Sequence, residues 1–309
     1  MRPHPASSIS PGWPEILPAI RRALPTLDDL PTDEPPRIES GQNAIVWQAA
    51  PYIVRVPRHD DRAKALRHEA AILRTIGPLL PLPTPDVHLV DLPHGGTVAI
   101  HRALPGQPLM TLPGADETDC LAGTLGGFLR DLHAIPLPAL DGIALPVANR
   151  GHWRAWLRDA TRRLAPHLDP ASLQRLDEAG ASFRDALAAV SPVVIHGDFG
   201  GSNILAQDGA ITGVIDFGSV QVGDPASDLA GLAASYGLPF LDRVAVTYPL
   251  AADPDVRSRI AFYRLAFAAM DALYGLDHAD DHALRAGIAG VAQLASDDAS
   301  PASGTSRQT

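Results

Sequence analysis

Val-Val-Ile-His-Gly-Asp-Phe-Gly-Gly-Ser-Asn-Ile-Leu, residues 193–205, is followed after a short turn by Val-Ile-Asp-Phe-Gly at 214–218 and by Gly-Asp-Pro-Ala-Ser-Asp-Leu-Ala at 223–230. The apolar run from Val193 reads as a strand that ends in a His196-Gly197-Asp198 turn, with Asn203 five residues after that Asp. A second apolar strand ends in Asp216. This order places two carboxylates and an amide at the ends of adjacent strands. Phosphoryl transfer needs such oxygens, because the protein's work there is positioning and neutralising charge. Asp198 is placed to accept or orient a hydroxyl proton. Asn203 and Asp216 offer the oxygen-only ligands that Mg²⁺ prefers. His196 is read as holding the loop rather than acting as a base. Asp224 and Asp228 are set aside as scaffold, Asp228 as a helix cap.

Outward from this stretch, the chain divides by character. Residues 1–12 are rich in Pro and Ser and are expected to be poorly ordered. Trp13 to Leu24 has helical spacing. Ile38 to Trp47 reads as strand, turn and strand around Gly41-Gln-Asn43, and Tyr52 to Val56 as a third strand ended by Pro57. The single Gly41 leaves that turn open to two readings, a phosphate-covering loop or an ordinary hairpin. Arg62 to Ile76 is a helix, and its Glu69 is open to two readings: an ordinary solvated helix charge, which the residues alone favour, or an ion pair with Arg55 across strand and helix. Gly77 to Pro85 is expected to be extended. Two further strands, Val87 to Val90 and Thr97 to Ile100, meet around Gly95-Gly96, and Ala103 to Leu109 is a loop.

Beyond this point the pattern is helical: Asp116 to Ile135, with Leu121, Leu125, Phe128, Leu129 and Leu132 on one face, then Trp153 to Leu164 and Leu173 to Ala189. After the motif come helices at Pro225 to Tyr236, Pro239 to Tyr248, Val256 to Leu276 and His282 to Leu294, then a tail from Ser296. The expected fold class is α+β: a β-rich lobe over 1–103, a helical lobe over 104–295 and a disordered tail over 296–309.

Composition excludes several functions. The 309 residues are 46% hydrophobic and 19% charged, which is globular usage. A net charge of −10 argues against nucleic acid as a partner and is compatible with a cationic substrate, but equally with simple solubility, the reading that charge alone favours. Cys120 is the only cysteine, so no disulfide forms within the chain; it is expected to be a buried structural thiol. No run is long enough to span a membrane and no apolar leader is visible, so a cytoplasmic protein is expected, monomer or homodimer.

The combination H-x-D-x₄-N, a strand and then D-F-G is far more specific than any of its parts. Together with Gly-Asp-Pro-x-x-Asp and His-Gly-Asp, it resembles the aminoglycoside phosphotransferase (APH) family of kinase-like small-molecule phosphotransferases. His-Gly-Asp-Phe-Gly-x-Ser-Asn-Ile-Leu is nearest the 2″-aminoglycoside branch. The resemblance covers roughly residues 13–295. It implies a protein-kinase-like two-lobe fold, ATP or GTP as phosphate donor, Mg²⁺, and a small hydroxylated acceptor. By position, Asp198 matches the catalytic carboxylate, and Asn203 and Asp216 match the metal ligands. Arg55 stands where the family has a phosphate-binding Lys, with Glu69 as its partner. Gly41 and Asn43 sit in the phosphate-covering loop. Ile100, His101 and Arg102 flank the hinge whose main chain meets the base, and Asp228 starts a helix and stabilises the metal loop. Asp271, Asp277, Asp280 and Asp281 are candidates for an acidic acceptor lining, with an ordinary solvated helix end as the other reading. Three functions remain: an aminoglycoside-type antibiotic kinase, a kinase of another hydroxylated molecule (macrolide, peptide antibiotic, homoserine or choline), and a catalytically silent binding protein.

Overall fold

A computed structural model describes residues 11–27, 29–38, 44–93, 95–115, 118–148, 150–187 and 190–297. The tail from 298 and residues 1–10, both expected to be disordered, lie outside it, as does the turn at 39–43. The N-terminal part is helix α1 (Trp13–Ala23) and five strands, β1 (Arg37–Ile38), β2 (Ala44–Ala49), β3 (Tyr52–Pro57), β4 (His88–Asp91) and β5 (Thr97–Arg102). Helix α2 (Asp60–Ile76) connects β3 to β4. The strands form one antiparallel sheet in the order β1-β2-β3-β5-β4.

The period of two along β3 sorts its side chains. Tyr52, Val54 and Val56 are buried against α1 in a cluster with Trp13, Ile16, Ile20, Trp47, Val98 and Ile100. Ile53 and Arg55 must therefore face the other side of the sheet. Helix α2 lies on that side, and its Leu66, Ile72, Leu73 and Ile76 join the core of the helical half rather than the α1 cluster. So α2 belongs by connection to the sheet and by packing to the helices.

The helical half comprises α3 (Asp119–His133), α4 (Arg150–Leu164), α5 (Pro170–Ala186), α6 (Ala226–Val244), α7 (Val256–His278) and α8 (Asp281–Asp297). The five apolar residues read onto one face of α3 are all buried. Each stabilises the fold by roughly 1.5–3 kcal/mol through removal from water. Helix α6 is broken at Gly237 (φ 80°), between the two helices expected there. Helix α5 begins three residues before the apolar pattern does. The cause is Asp169, whose side chain accepts from the Ala171 and Ser172 N–H groups, with Pro170 in the first turn.

Four short strands carry the motif: β6 (Gln107–Pro108), β7 (Val193–Ile195), β8 (Ile204–Gln207) and β9 (Ala210–Val214), with β10 (Gln221–Gly223) paired to β7. The loop expected at Ala103 to Leu109 therefore contains a strand, because Gln107 and Pro108 pair with Ala206 and Leu205. The second motif strand is one arm of a β8–β9 hairpin turning at Asp208-Gly209. Residues 77–79 are a 3₁₀ turn rather than extended chain. Pro78 sits in its first turn, where a missing N–H is harmless.

Cys120 corrects another expectation: it is exposed. It precedes Leu121 on α3, and one helical step turns it about 100° from the buried stripe. A thiol reagent should label Cys120 in the native protein at close to the rate of the unfolded chain. Leu129→Ala should cost about 2–5 kcal/mol in urea unfolding, whereas Cys120→Ser should cost less than about 0.5 kcal/mol.

Candidate active site

Arg55 projects from the middle of β3 toward α2, and its Nη1 donates to Glu69 Oε1 at 2.8 Å. The Glu69 side chain is 4% exposed and that of Arg55 26%, so this pair is partly shielded from water. Burial opposes the Arg55 charge. Glu69, by charge and hydrogen bond, and Asp216, by charge, outweigh burial and hold the guanidinium above its usual pKa. The expected strand-to-helix ion pair is present, and Asp216 lies close enough to add to it.

The two motif loops are joined through the backbone. Ile215 N–H donates to the Asn203 carbonyl at 2.9 Å, which sets Asp216 beside Asn203. The Asn203 side chain donates from Nδ2 to both the Asp198 carbonyl and Asp198 Oδ2, each at 2.9 Å. Both partners only accept, so the amide nitrogen must face them and the amide oxygen is turned away. Among the described residues no donor reaches that oxygen. Asp216 itself adopts a left-handed backbone, φ 63° and ψ 66°, a conformation that costs a non-glycine residue energy and recurs at functional sites. Asp198 and Asp216 are both exposed, while Asn203 is buried. An amide oxygen and a carboxylate presented side by side, with Arg55 beyond, fit a hard cation shared with phosphates. No cluster of three His, Cys, Asp or Glu suited to a metal occurs among the described residues.

His196 is fully buried between Phe199 and Phe217. Its Nε2–H donates to the Ile215 carbonyl at 3.1 Å, and its Nδ1 accepts from Asp198 N–H at 3.3 Å. It ties one motif loop to the other, in the holding position read for it. Gly197 has φ +80°, and a Cβ there would lie 2.3 Å from the Ser219 carbonyl oxygen. Only glycine fits that turn. Farther along the loop, Gly201 N–H donates to Ser235 Oγ on α6 at 3.0 Å and the Gly201 carbonyl accepts from Met110 N–H at 3.1 Å.

Asp228 is not a helix cap. Its wholly buried carboxylate accepts from His196 N–H at 2.8 Å and Gly197 N–H at 2.9 Å, more than thirty residues away. It lies inside the first turn of α6, aimed at the loop rather than at the helix's own N–H groups. The local capping is done by Asp224, which accepts from Ala226 N–H at 3.0 Å. Asp224 is also clamped by Arg259, through Nε at 2.8 Å and Nη2 at 3.3 Å, and Arg259 reaches on to Asp253. Burial raises the Asp224 carboxyl above the usual range despite this partner.

The hinge candidates divide. Ile100 and Arg102 face the α1 side of the sheet, Ile100 in that core and the Arg102 guanidinium 6.0 Å from the Tyr52 ring. Their side chains point away from Arg55, so only their main chain is on offer to a base. β4 stops opposite Ile100, so on its β4 edge, though not on its β3 edge, β5 has no strand partner from His101 onward among the described residues. His101 pairs with Ile53 and so shares the Arg55 face. Burial lowers its pKa, the Arg102 carbonyl opposes this and Arg55 adds to it. Gly41 and Asn43 lie outside the described residues.

The acidic candidates on α7 and α8 are mostly spent. Asp277 pairs with Arg163 at 2.5 Å, and Asp280 accepts from the His282 and Ala283 N–H groups at the start of α8. Asp281 follows in the first turn of that helix. Asp271 is exposed, with a carboxyl raised by desolvation. Sequence reasoning passed over His133, Tyr248, Ser235 and Arg259. Each contacts the site region from a distant element, and nothing in its local pattern marks it.

A model of the phosphotransferase enzyme family (APH) matches residues 36–263. The chain belongs to that family. Among curated proteins, the viomycin phosphotransferase of Streptomyces vinaceus is 33% identical over 193 residues, 60% of this chain and 67% of that one. Among solved structures, the GDP complex of aminoglycoside 2′-phosphotransferase-IIIa matches with a TM-score of 0.80 at 20% identity, covering 92% of this chain and 98% of that one. Macrolide 2′-phosphotransferase type I matches at 0.71 and 21%, covering 92% and 98%. The expected α+β, kinase-like fold is thus that of the family, and the chain is a phosphotransferase.

Removing one partner of the Arg259 clamp would strand a buried charge. Arg259→Met should cost about 3–5 kcal/mol at neutral pH. A carboxyl whose folded pKa lies above its unfolded value destabilises the fold as pH rises through that interval. Loss of Arg259 pushes Asp224 further up, so the deficit should shrink as pH is lowered toward about 5, measured by urea unfolding at both pH values.

Proposed function

We propose that this phosphotransferase moves the terminal phosphoryl group of ATP or GTP to a hydroxyl of a small antibiotic, of the aminoglycoside type in the first reading. The observation that carries this is the convergence of Asp198, Asn203 and Asp216 within one hydrogen-bonded pair of loops, facing the Arg55–Glu69 pair. The nucleotide would lie between residues 1–103 and 104–295. The strand-free edge of β5 from His101 onward would meet the base through main-chain groups. Arg55, oriented by Glu69, would bind phosphate oxygens with its planar fork of donors, a different pose from that of a Lys. Asn203 Oδ1 and the Asp216 carboxylate would hold Mg²⁺, which when bound neutralises charge on the phosphates. Asp198, fixed by Asn203, would accept the acceptor's hydroxyl hydrogen bond and take its proton as the new O–P bond forms and the terminal phosphorus parts from the bridging oxygen of the departing nucleoside diphosphate. The reaction would run in the cytoplasm, where nucleoside triphosphates are supplied.

Relatives support an antibiotic acceptor. Solved neighbours with the same fold include complexes with kanamycin plus GDP and with streptomycin plus ATP. A second reading, an acceptor outside the aminoglycosides, is favoured by the viomycin phosphotransferase, which is 33% identical over 193 residues where aminoglycoside 2′-phosphotransferase-IIIa is 20% identical. The silent binding protein is disfavoured because all three oxygen donors are in place.

A phosphate-transfer screen with aminoglycosides, macrolides, viomycin and small amino alcohols, each with ATP and GTP, tests this. Transfer to a cationic antibiotic is expected; nucleotide binding with no transfer to any acceptor would favour the silent protein. Asp198→Ala should lower turnover by at least about a hundred- to ten-thousand-fold while nucleotide still binds. Near-wild-type turnover would remove Asp198 from its role. Asp216→Ala should abolish the Mg²⁺-dependent part of nucleotide affinity, read by calorimetry with and without the metal.

A further inference from the structure

His133 is the last residue of α3, 95 residues from Asp228 and 115 from Tyr248, yet its ring joins the two. Nε2 lies 3.1 Å from Asp228 Oδ2, and Nδ1 lies 2.9 Å from the Tyr248 hydroxyl. The His133 side chain is 6% exposed and that of Asp228 is not exposed at all. A carboxylate only accepts, so Nε2 carries hydrogen. Its Nδ1 meets the Tyr248 hydroxyl. Burial first, then Asp228, Asp224 and Asp253, raise the Tyr248 phenol well above its usual value, so its hydrogen stays in place. The Tyr248 ring also meets the His133 ring edge-on at 5.5 Å between centroids.

These contacts form one chain: Tyr248 hydroxyl to His133, His133 N–H to Asp228, and Asp228 to the consecutive N–H groups of His196 and Gly197. Asp198 is the next residue. It is exposed, and the only side chain that holds its carboxylate among the described residues is that of Asn203. Its place is therefore set by the backbone before it, which includes a glycine at φ +80°. That backbone is set by the plane of the Asp228 carboxylate. Without His133, Asp228 keeps two donors from one turn of chain and can rotate with them. A third donor from a separate helix removes that freedom.

We propose that His133 is a positioning residue for phosphoryl transfer, fixing through Asp228 the His196–Gly197 backbone and so the location of Asp198. This role rests on Asp198 meeting the acceptor hydroxyl. His133 does not touch the reacting atoms; Tyr248 orients its ring.

The test compares His133→Ala, His133→Gln and Tyr248→Phe by steady-state kinetics and by amide hydrogen exchange over residues 193–201. Outer partners that orient a functional group typically contribute about 10–100-fold. His133→Ala should lose turnover on that scale with KM for nucleotide and acceptor within about twofold, and exchange at His196 and Gly197 should rise about tenfold or more. His133→Gln, whose amide can still donate to Asp228, should recover most of both. Wild-type turnover and unchanged exchange in His133→Ala would overturn the role. So would a Gln variant as impaired as Ala with protection lost throughout the chain, which would make His133 a packing residue. If His133→Ala does not fold, Tyr248→Phe decides, since it removes one hydroxyl. A fall in turnover with faster loop exchange supports the role, and no change in either overturns it. Should the wild-type chain transfer phosphate to no acceptor, the reading of Asp198 fails, and the exchange comparison still decides whether His133 fixes the loop.

Discussion

The wholly buried carboxylate of Asp228 accepts hydrogen bonds from two consecutive backbone amides, His196 and Gly197, and the site is built outward from that contact. A charge removed from water is tolerated only where donors surround it. Here the donors are the turn itself and His133, so satisfying the charge and shaping the turn are one event. The turn in turn fixes its neighbours: His196 reaches the Ile215 carbonyl, Asn203 reaches Asp198, and Ile215 reaches back to Asn203. Remove the carboxylate and each of these loses its reference point.

The same logic connects the sheet to the helices. α2 buries Leu66, Ile72, Leu73 and Ile76 in the helical core while its Glu69 holds Arg55 of β3. Phe217, next to Asp216, is fully buried in that core. Position of the basic residue and position of the second carboxylate thus depend on one packed body. A basic side chain and two oxygen-bearing side chains are thus held by one packed body, which is how a site gains precision.

Much of this was legible in the chain. The apolar run ended by Pro57 drew β3, helical spacing drew α3 and α7, and the ordered His-Gly-Asp, Asn and Asp-Phe-Gly spacing marked the candidate site residues. What was not legible shares a physical cause. Asp228 looks like a helix cap because Asp near a helix start usually is one; only the tertiary approach of the loop shows otherwise. Cys120 was misplaced because one helical step separates a buried from an exposed side chain. The hinge reading at Ile100 to Arg102 concerned main chain, and the directions of those side chains came only with the pairing to β3. β6 and β10 are too short to carry a periodic signal and exist because partners bring them into register. His133 and Tyr248 are single polar residues near the ends of helical segments, marked by nothing until the helices pack.

The central claim is that Asp198 receives the acceptor's proton and positions its oxygen for direct, in-line attack, and never itself carries the phosphoryl group. The stereochemical course of transfer from a nucleotide made chiral at the terminal phosphorus tests this most directly. A single in-line displacement gives net inversion in the phosphorylated product, and inversion is the expected result. Net retention would require two displacements through a phosphorylated enzyme, and would contradict the role assigned to Asp198.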